Sequence, residues 1–200
     1  MNIGLLGFGV VGGGVWELTQ ENRALNVKKV LVRREVPPLG ETAVQDVEAI
    51  LRDTDIDTVV EVLGGLHPAY EWICRALAAG KNVVTANKAV ISAYYRELTA
   101  LAHENGAALR CTAAVGGGIP WLVNLQRCRR VDTVTEVGGI MNGTTNFIMD
   151  AMARQGADFP AVLQRAQELG YAEADPSADI DGDDIRRKLT ISANIAFDAL

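Results

Sequence analysis

The chain has 200 residues, of which 48% are hydrophobic and 22% charged, and its formal net charge is -6 at pH 7. This composition is typical of a globular protein with one or two domains and excludes a disordered chain. The charge predicts no basic surface for a phosphate backbone, so we predict no nucleic-acid partner and favour a small-molecule ligand.

The cysteines and the first residues indicate a cellular compartment. Cys74, Cys111 and Cys128 are odd in number and lack CxxC spacing, which argues against a disulfide framework and against a zinc cluster. Met1 leads directly into an apolar run without a basic n-region or cleavage site, and no apolar run reaches the roughly 18 residues of a membrane span. We therefore expect a cytoplasmic protein with no membrane partner.

The first part of the chain alternates predicted strands with predicted helices. Short apolar or β-branched runs favour strands, and segments with helical spacing separate them. The strands are predicted at residues 2–6, 27–34, 57–65, 82–86 and 107–115, and the helices at residues 10–22, 43–53, 68–81 and 92–106. This alternation predicts an α/β fold with a Rossmann-type doubly wound parallel sheet over roughly residues 1–125.

The pattern changes near residues 125–130. A strand is predicted at residues 131–141, and helices follow at residues 145–156, 159–170 and 183–200, the second with Asp158 as its N-cap. A single strand cannot complete a sheet by itself. We therefore predict a nucleotide-binding domain over residues 1–127 and part of an α+β substrate and dimerisation domain, incomplete, over residues 128–200.

The segment GFGVVG, at residues 7–12, follows the first strand and opens a helix in the pattern GxGxxG. Its first glycine permits a sharp turn, its second lets the backbone approach a pyrophosphate, and its third lets helix and strand pack closely. In this strand-turn-helix context the motif predicts dinucleotide binding, and the alternative is a glycine turn without a ligand. The predicted contacts are Gly7, Phe8, Gly9, Val10, Val11 and Gly12.

The end of the second predicted strand bears on the choice of dinucleotide. An acidic residue there would bind the ribose diol of NAD, whereas here Arg33 and Arg34 precede Glu35. Arginine suits a 2'-phosphate, so we predict NADP as the cofactor, with NAD tolerated. The alternative is that both arginines are only solvated.

Two further segments follow strand carboxyl ends, where open sheets of this kind bind ligands. Lys88, in VTANKAV, is expected to point toward the nicotinamide, and on position alone a surface lysine is an equal alternative. The segment AAVGGGIP places three glycines at the next strand end, which indicates that the backbone there comes close to a neighbouring group.

Six segments, in their order along the chain, together resemble one known family of enzymes. GFGVVG, EVLGG, TANKA, VGGGIP, GIMNGTTNFI and LGYAEADPSADIDGDDIRRK resemble homoserine dehydrogenases across essentially the whole chain, the last segment most specifically. The resemblance implies an NAD(P)-binding Rossmann domain and a substrate domain that supplies a homodimer interface. It also implies the interconversion of L-homoserine and L-aspartate 4-semialdehyde in threonine and methionine biosynthesis.

The same resemblance assigns roles to individual residues. It implies Glu173, Asp179, Gly143 and Thr144 as substrate contacts, and Asp184, Lys188 and Lys88 as catalytic residues. Oxidising the substrate alcohol sends a hydride to the nicotinamide while a base accepts the hydroxyl proton. We predict that Lys188 transfers the proton, that Asp184 orients it or a water, and that Lys88 holds substrate and cofactor together. Exchanged roles for the two lysines are chemically reasonable.

The acidic run DIDGDDIRRK, at residues 179–188, has a further interpretation as a calcium loop. Such a loop would need an oxygen ligand at its first position and a bidentate glutamate at its twelfth. The chain has Ser177 and Lys188 there, so this interpretation fails at the strongest ligand. Asp183 and Asp184 instead suit a helix start, and Asp184 and Lys188 are four residues apart and share one helix face.

The chain departs from the family in two respects. Thr112 stands where many members have a glutamate that contributes to a sodium or potassium site. The remaining family ligands are the main-chain carbonyls of Val115, Gly117 and Ile119, so a monovalent cation stays open. Family members also continue beyond the position of Leu200, which leaves a catalytically inactive NADP-binding fragment or regulatory module as an alternative. A different amino-acid oxidoreductase is disfavoured by NGTTN and GYAEADP.

Overall fold

The structure is a computed structural model, and it describes residues 1–34 and 36–197. The chain divides into two compact units, Met1–Val123 and Asn124–Leu200. Within the described ranges, none of the helices combines the length and the apolar character that crossing a bilayer requires.

The described residues of the first unit are built on a parallel sheet of six strands. The strands are β1 (Asn2–Leu6), β2 (Asn26–Leu31), β3 (Ala43–Val44), β4 (Thr58–Glu61), β5 (Asn82–Thr85) and β6 (Leu109–Arg110). They lie in the order β3-β2-β1-β4-β5-β6, and each neighbouring pair is parallel. The predicted Rossmann-type α/β fold is confirmed, and its strand order reverses between β1 and β4, where such sheets bind ligands.

Helices connect these strands. They are α1 (Val10–Gln20), α2 (Glu48–Leu51), α3 (Ala69–Ala78) and α4 (Lys88–Glu104), and α5 (Trp121–Cys128) spans the position where the two units divide. Short 3-10 turns lie at Pro37–Thr42 and Thr112–Ala114. The middle positions of the central strands β1, β4 and β5 are apolar, as expected when helices cover both faces of a parallel sheet. One core cluster joins Ile3, Leu5, Val27, Val30, Val32, Leu39 and Val60.

The observed elements differ from the predicted ones mainly at their ends. Residues 43–53 were expected to be helical, but Ala43 and Val44 form an edge strand because they pair with Val30 and Leu31 of β2. The strand expected at residues 107–115 is reduced to β6. The fourth helix begins at Lys88, earlier than expected, because the side chain of Asn87 accepts a hydrogen bond from Val90 N and caps it.

In the part of the second unit that the structure describes, four helices follow α5. They are α6 (Gly143–Gln155), α7 (Phe159–Glu168), α8 (Ser177–Ile180) and α9 (Asp183–Phe197). A small core joins α6, through Ile148 and Ala151, to α7, through Val162 and Ala166, and Ala172 of the following loop packs into it. Asp158 lies at the N-cap position of α7, although its side chain makes no capping hydrogen bond. The end of the last predicted helix, residues 198–200, lies outside the described residues.

The prediction of a strand at residues 131–141 is wrong. Residues 133–142 have no regular secondary structure, and Val131 and Ile140 are 86% and 83% exposed. A strand satisfies its backbone groups by bonding to a neighbouring strand, and among the described residues the second unit has no other strand. The β part of the predicted α+β domain therefore has no counterpart in the described residues.

Candidate active site and dinucleotide cleft

The glycine turn after β1 has the shape that an anion-binding turn needs. Gly7 has a φ of 104°, which favours glycine. A Cβ on Gly12 would overlap the carbonyl oxygen of Gly7, whereas a Cβ on Gly9 would meet nothing within 4 Å. Gly9 caps α1, and Val10 at the start of that helix is 96% exposed. The first N–H groups of α1 therefore face open space, as a pyrophosphate site requires.

A cleft of about 640 Å³ lies beside this turn in the first unit. It is lined by Gly7, Phe8, Gly9, Leu31, Val32, Arg33, Arg34, Val36, Gln45, Val62, Leu63, Gly64, His67, Pro68 and Trp72. Arg33 and Arg34 are exposed on its wall, at the end of β2, and Glu35 lies outside the described residues. The glycine turn, the open helix start and the two cations fit the phosphates of a dinucleotide.

A buried carboxylate stands at the carboxyl end of β4, next to the cleft. Glu61 is 0% exposed and accepts hydrogen bonds from Thr85 Oγ1 at 2.5 Å, Leu63 N at 2.9 Å and Asn87 Nδ2 at 3.3 Å. Asn87 Nδ2 also donates to the carbonyl oxygen of Gly65 at 2.7 Å. These bonds tie the loop after β4 to the start of α4, because both loops bond to the same carboxylate and amide.

Lys88 is the first residue of α4 and is half-buried. It therefore follows the carboxyl end of β5, as the sequence predicts, and Asn87 fixes the helix turn that carries it. Neither Glu61 nor Asn87 was identified from the sequence. A signal for Asn87 is its position between a strand and a helix, since asparagine is a preferred N-cap.

The turn around residues 112–120 has no charged ligand for a cation. Thr112 lies in a 3-10 turn, and the carbonyl oxygen of Ile119 accepts a hydrogen bond from Trp121 N at 2.8 Å. Among the residues that the structure describes, no three His, Cys, Asp or Glu side chains are grouped to hold a metal ion. A carbonyl oxygen has two lone pairs, so it can bind a cation even while it accepts one hydrogen bond. The carbonyl oxygens of Val115, Gly117 and Ile119 are therefore available to a cation only as neutral ligands.

In the second unit, the structure joins two of the predicted acids. Asn142 Nδ2 donates to Asp179 Oδ1 at 2.7 Å and to Asp184 Oδ2 at 2.9 Å. Thr144 Oγ1 lies 2.7 Å from Asp179 Oδ2 and 2.7 Å from the carbonyl oxygen of Tyr171. Asn142, Thr144 and Asp184 are buried, at 6%, 5% and 6% exposure. We call Asn142, Thr144, Asp179, Asp184 and Lys188 the acid-lysine network.

Lys188 completes this network from α9. Its Nζ donates to Asp184 Oδ2 at 2.8 Å and to the carbonyl oxygen of Met141 at 2.6 Å. An ammonium group has three N–H donors, so these two acceptors leave one N–H that neither of them uses. The structure thus brings Asp184 and Lys188 together on one helix face, as their spacing predicts.

Two predicted substrate contacts lie outside the network. Glu173 is exposed, and its main-chain oxygen accepts a hydrogen bond from Gln167 Nε2 at 3.1 Å. Gly143 is an exposed residue at the start of α6. The neighbouring acid Asp183 pairs instead with Arg186, whose Nη2 lies 2.7 Å from Asp183 Oδ1, so the charge run divides into a network half and a surface half.

Burial and hydrogen bonding raise the pKa values of two thiols and a phenol in the first unit. Desolvation by burial raises the pKa of the Cys111 thiol from 9.0 to about 11. Burial likewise raises the pKa of Cys74. The Tyr70 hydroxyl donates to the Glu97 carboxylate, and this bond raises the pKa of Tyr70. Protonation of all three is therefore favoured in the folded unit.

The strand order, glycine turn and cleft define a Rossmann-type unit of the dinucleotide-binding class. Two family models match the chain, and both describe one family. The model for the NAD-binding domain of homoserine dehydrogenase matches residues 7–112, and the model for homoserine dehydrogenase matches residues 120–200. The chain belongs to the homoserine dehydrogenase family.

Individual relatives agree. The chain is 46% identical to the homoserine dehydrogenase of Synechocystis sp. over 98% of this chain and 48% of that protein, and 40% identical to that of Bacillus subtilis over 98% and 49%. The crystal structure of a homoserine dehydrogenase from Thiobacillus denitrificans has a TM-score of 0.92 and 39% identity, over 100% of this chain and 49% of that one. A hyperthermophilic archaeal homoserine dehydrogenase in complex with NADPH has a TM-score of 0.89 and 27% identity, over 99% and 70%. The chain spans about half the length of the curated relatives it matches.

Proposed function

We propose that the protein catalyses the reversible NADP-dependent interconversion of L-homoserine and L-aspartate 4-semialdehyde, a step of threonine and methionine biosynthesis. The observation that carries this proposal is the acid-lysine network, in which Lys188 Nζ lies 2.8 Å from the buried carboxylate of Asp184. Family membership supports the substrate, and the network supplies the charged groups that a small zwitterion and a proton transfer need.

The substrate binds through its charges in this proposal. Asp179 and the exposed Glu173 contact the ammonium group, because carboxylates form charge-assisted hydrogen bonds with it. The turn at Gly143 and Thr144 contacts the substrate with its backbone, since the first N–H groups of a helix have no partner within that helix.

Lys188 moves the proton in our proposal. When aldehyde is reduced, the N–H of Lys188 that Asp184 and Met141 do not use is donated to the carbonyl oxygen, which becomes the hydroxyl. In the reverse direction a neutral Lys188 accepts that proton, and Asp184 orients it throughout. A bound nicotinamide supplies or accepts the hydride. Lys88 holds substrate and cofactor together.

We further propose NADP as the preferred dinucleotide, with NAD tolerated. Arg33 and Arg34 are exposed on the wall of the cleft at the end of β2, where a 2'-phosphate binds in units of this fold. The complex of the archaeal relative with NADPH is consistent with this choice. Arginine binds phosphate oxygens through paired N–H donors.

The remaining features of the proposal concern the whole protein. We propose that residues 1–127 bind the cofactor, that residues 128–200 belong to the substrate domain, and that the protein is a homodimer in the cytoplasm. The three cysteines are free thiols, which fits a reducing compartment. The homodimer rests on the resemblance to the family.

The direct test follows reduced nicotinamide by absorbance while NADP and L-homoserine are supplied. Because proton transfer by a positioned side chain contributes about 10²–10⁴-fold, we expect Lys188→Ala to lower the rate by at least about a hundredfold while NADP binding is unchanged. The neighbouring Arg187→Ala is the matched control and should retain the rate. An unchanged rate in active Lys188→Ala protein would show that Lys188 has another role.

The same preparation distinguishes an enzyme from a binding module without catalysis. Calorimetry with NADP measures binding in the first unit independently of turnover. Binding with a measurable homoserine-dependent rate supports the enzyme, and binding without any such rate supports the module.

A further inference from the structure

Asn142 occupies a central position in the acid-lysine network. Its side chain is 6% exposed, and every polar atom of that side chain is used. The amide oxygen caps α6 by accepting from Thr145 N at 2.8 Å and Thr145 Oγ1 at 3.0 Å. The amide nitrogen donates to Asp179 and Asp184, which lie 37 and 42 residues further along the chain.

An amide is suited to hold two carboxylates at once, because its nitrogen has two N–H donors. Two like charges close together disfavour each other's ionised form, and N–H donors counter this effect by favouring the ionised form. A lysine or arginine at position 142 would also bridge Asp179 and Asp184, but its positive charge would compete with a substrate ammonium. The amide of Asn142 fixes both carboxylates without adding a charge.

Asn142 also acts on Lys188 through Asp184. The same oxygen, Asp184 Oδ2, accepts from Asn142 Nδ2 at 2.9 Å and from Lys188 Nζ at 2.8 Å. Lys188 Nζ donates in addition to the main-chain oxygen of Met141, the residue before Asn142. The start of α6 therefore fixes Lys188 through two bonds, one to a main-chain oxygen and one through the shared carboxylate.

We infer that Asn142 is a positioning residue for the reaction proposed above, on which this inference rests. It holds Asp179 toward the substrate ammonium and Asp184 toward Lys188. Its loss changes the pH dependence of the proton transfer and the turnover number, and leaves cofactor binding in the first unit unchanged.

The variant Asn142→Asp separates this role from helix capping. Aspartate caps a helix as well as asparagine does, so Thr145 N keeps its acceptor and α6 keeps its start. Aspartate has no N–H, however, and it adds a third carboxylate beside Asp179 and Asp184. Gln155→Glu, at the exposed far end of α6, makes the same amide-to-acid change outside the network and is the matched control.

For Asn142→Asp we expect the acidic limb of the kcat/KM profile for homoserine to move up by about one pH unit, because a nearby like charge favours protonation of a carboxylate. We expect kcat at neutral pH to fall by about ten- to a hundredfold, since small displacements of catalytic groups cost this much. The Kd for NADP should stay within about twofold of the wild type. A profile that coincides with those of the wild type and Gln155→Glu would overturn the inference.

Two further measurements cover a failure of Asn142→Asp to fold. Asn142→Ser keeps a capping oxygen and adds no charge, and we expect its kcat to fall by about tenfold with an unchanged Kd for NADP. In the wild type, the side-chain amide protons of Asn142 should exchange slowly with solvent, because both are donated to carboxylates at a buried site. Amide protons that exchange as fast as those of the exposed Asn146 would overturn the inference.

These readouts keep the two proposals apart. A wild type that binds NADP and oxidises no homoserine contradicts the proposed function of the chain. The amide resonances of Asn142 still show in that case whether it holds Asp179 and Asp184.

Discussion

The two units of this chain present binding groups of different kinds. The first exposes the main chain: its glycine turn and the start of α1 offer N–H groups beside an open cleft. The second uses side chains from three separate segments, which meet in a buried network around Asn142. Main-chain recognition depends on the shape of one local turn, whereas the network depends on several side chains at once. Single substitutions should therefore affect the second unit more strongly.

The largest effect is expected from Asp184→Ala. This change removes the carboxylate that pairs with Lys188, one of two acceptors of its Nζ, and one acceptor of Asn142 at a site that is 6% exposed. Removing one partner of a buried ion pair costs about 3–5 kcal/mol. The free energy of unfolding, from chemical denaturation followed by circular dichroism, should fall by this amount.

Its matched control is Asp183→Ala in the same helix turn. Asp183 pairs with the exposed Arg186, and surface pairs of this kind contribute about 0–1 kcal/mol. Equal losses of stability for the two variants would contradict the contrast between a network half and a surface half.

An alkaline limit is expected for the first unit. The folded-state pKa of Cys111, about 11, lies above its ordinary value of 9.0, so the folded unit holds this proton while the unfolded chain releases it. The resulting stability is fully present below about pH 9 and is lost as the pH rises through 11, by about 2–3 kcal/mol.

Stability measured against pH in Cys111→Ala tests this expectation. The alkaline fall should be shallower in Cys111→Ala than in the wild type, and unchanged in Cys128→Ala, because Cys128 is exposed. If the slope between pH 9 and 11 is the same in Cys111→Ala as in the wild type, burial of this thiol does not set the limit.

Replacing both cleft arginines should weaken NADP selectively. For the variant Arg33→Ala with Arg34→Ala, calorimetry should give a Kd for NADP that is about ten- to a hundredfold higher, since hydrogen bonds to charged groups contribute about 1.5–3 kcal/mol. The Kd for NAD should change little, and Arg23→Ala, an exposed arginine before β2, should change neither. An equal loss of affinity for NADP and NAD would show that the arginines do not recognise the 2'-phosphate.

The smallest effect is expected from monovalent cations. The carbonyls of Val115, Gly117 and Ile119 are neutral and Thr112 adds no charge, so replacing potassium by tetramethylammonium should change the homoserine-dependent rate by less than about twofold. Thr112→Glu supplies a charged ligand and should make the rate depend on potassium. If the wild-type rate depended strongly on potassium, neutral oxygens would be shown to suffice for binding the cation.

Features that depend on neighbours in the chain were predictable. The glycine turn at residues 7–12 was predictable from six consecutive residues, because the φ values and close approaches that it needs are local. The pair of Asp184 and Lys188 was equally predictable, since a helix places residues four apart on one face. The alternation of strands and helices gave the Rossmann-type sheet for the same reason.

Features that depend on distant partners were not predictable. Residues 131–141 have the pattern of a strand, but a strand forms only where another strand accepts its hydrogen bonds. Ala43 and Val44 lie in a segment that was predicted to be helical. They form an edge strand instead, because they pair with β2.

The sequence by itself determined a dinucleotide turn, a parallel α/β sheet and a lysine-carboxylate pair on one helix, because each follows from residues close together in the chain. Only the tertiary structure decided that Asn142 joins Asp179 to Asp184 and that Glu61 binds the loop after β4 to the start of α4. Such bonds join positions tens of residues apart, and burial makes them specific, since a buried donor or acceptor must find a partner wherever the fold supplies one.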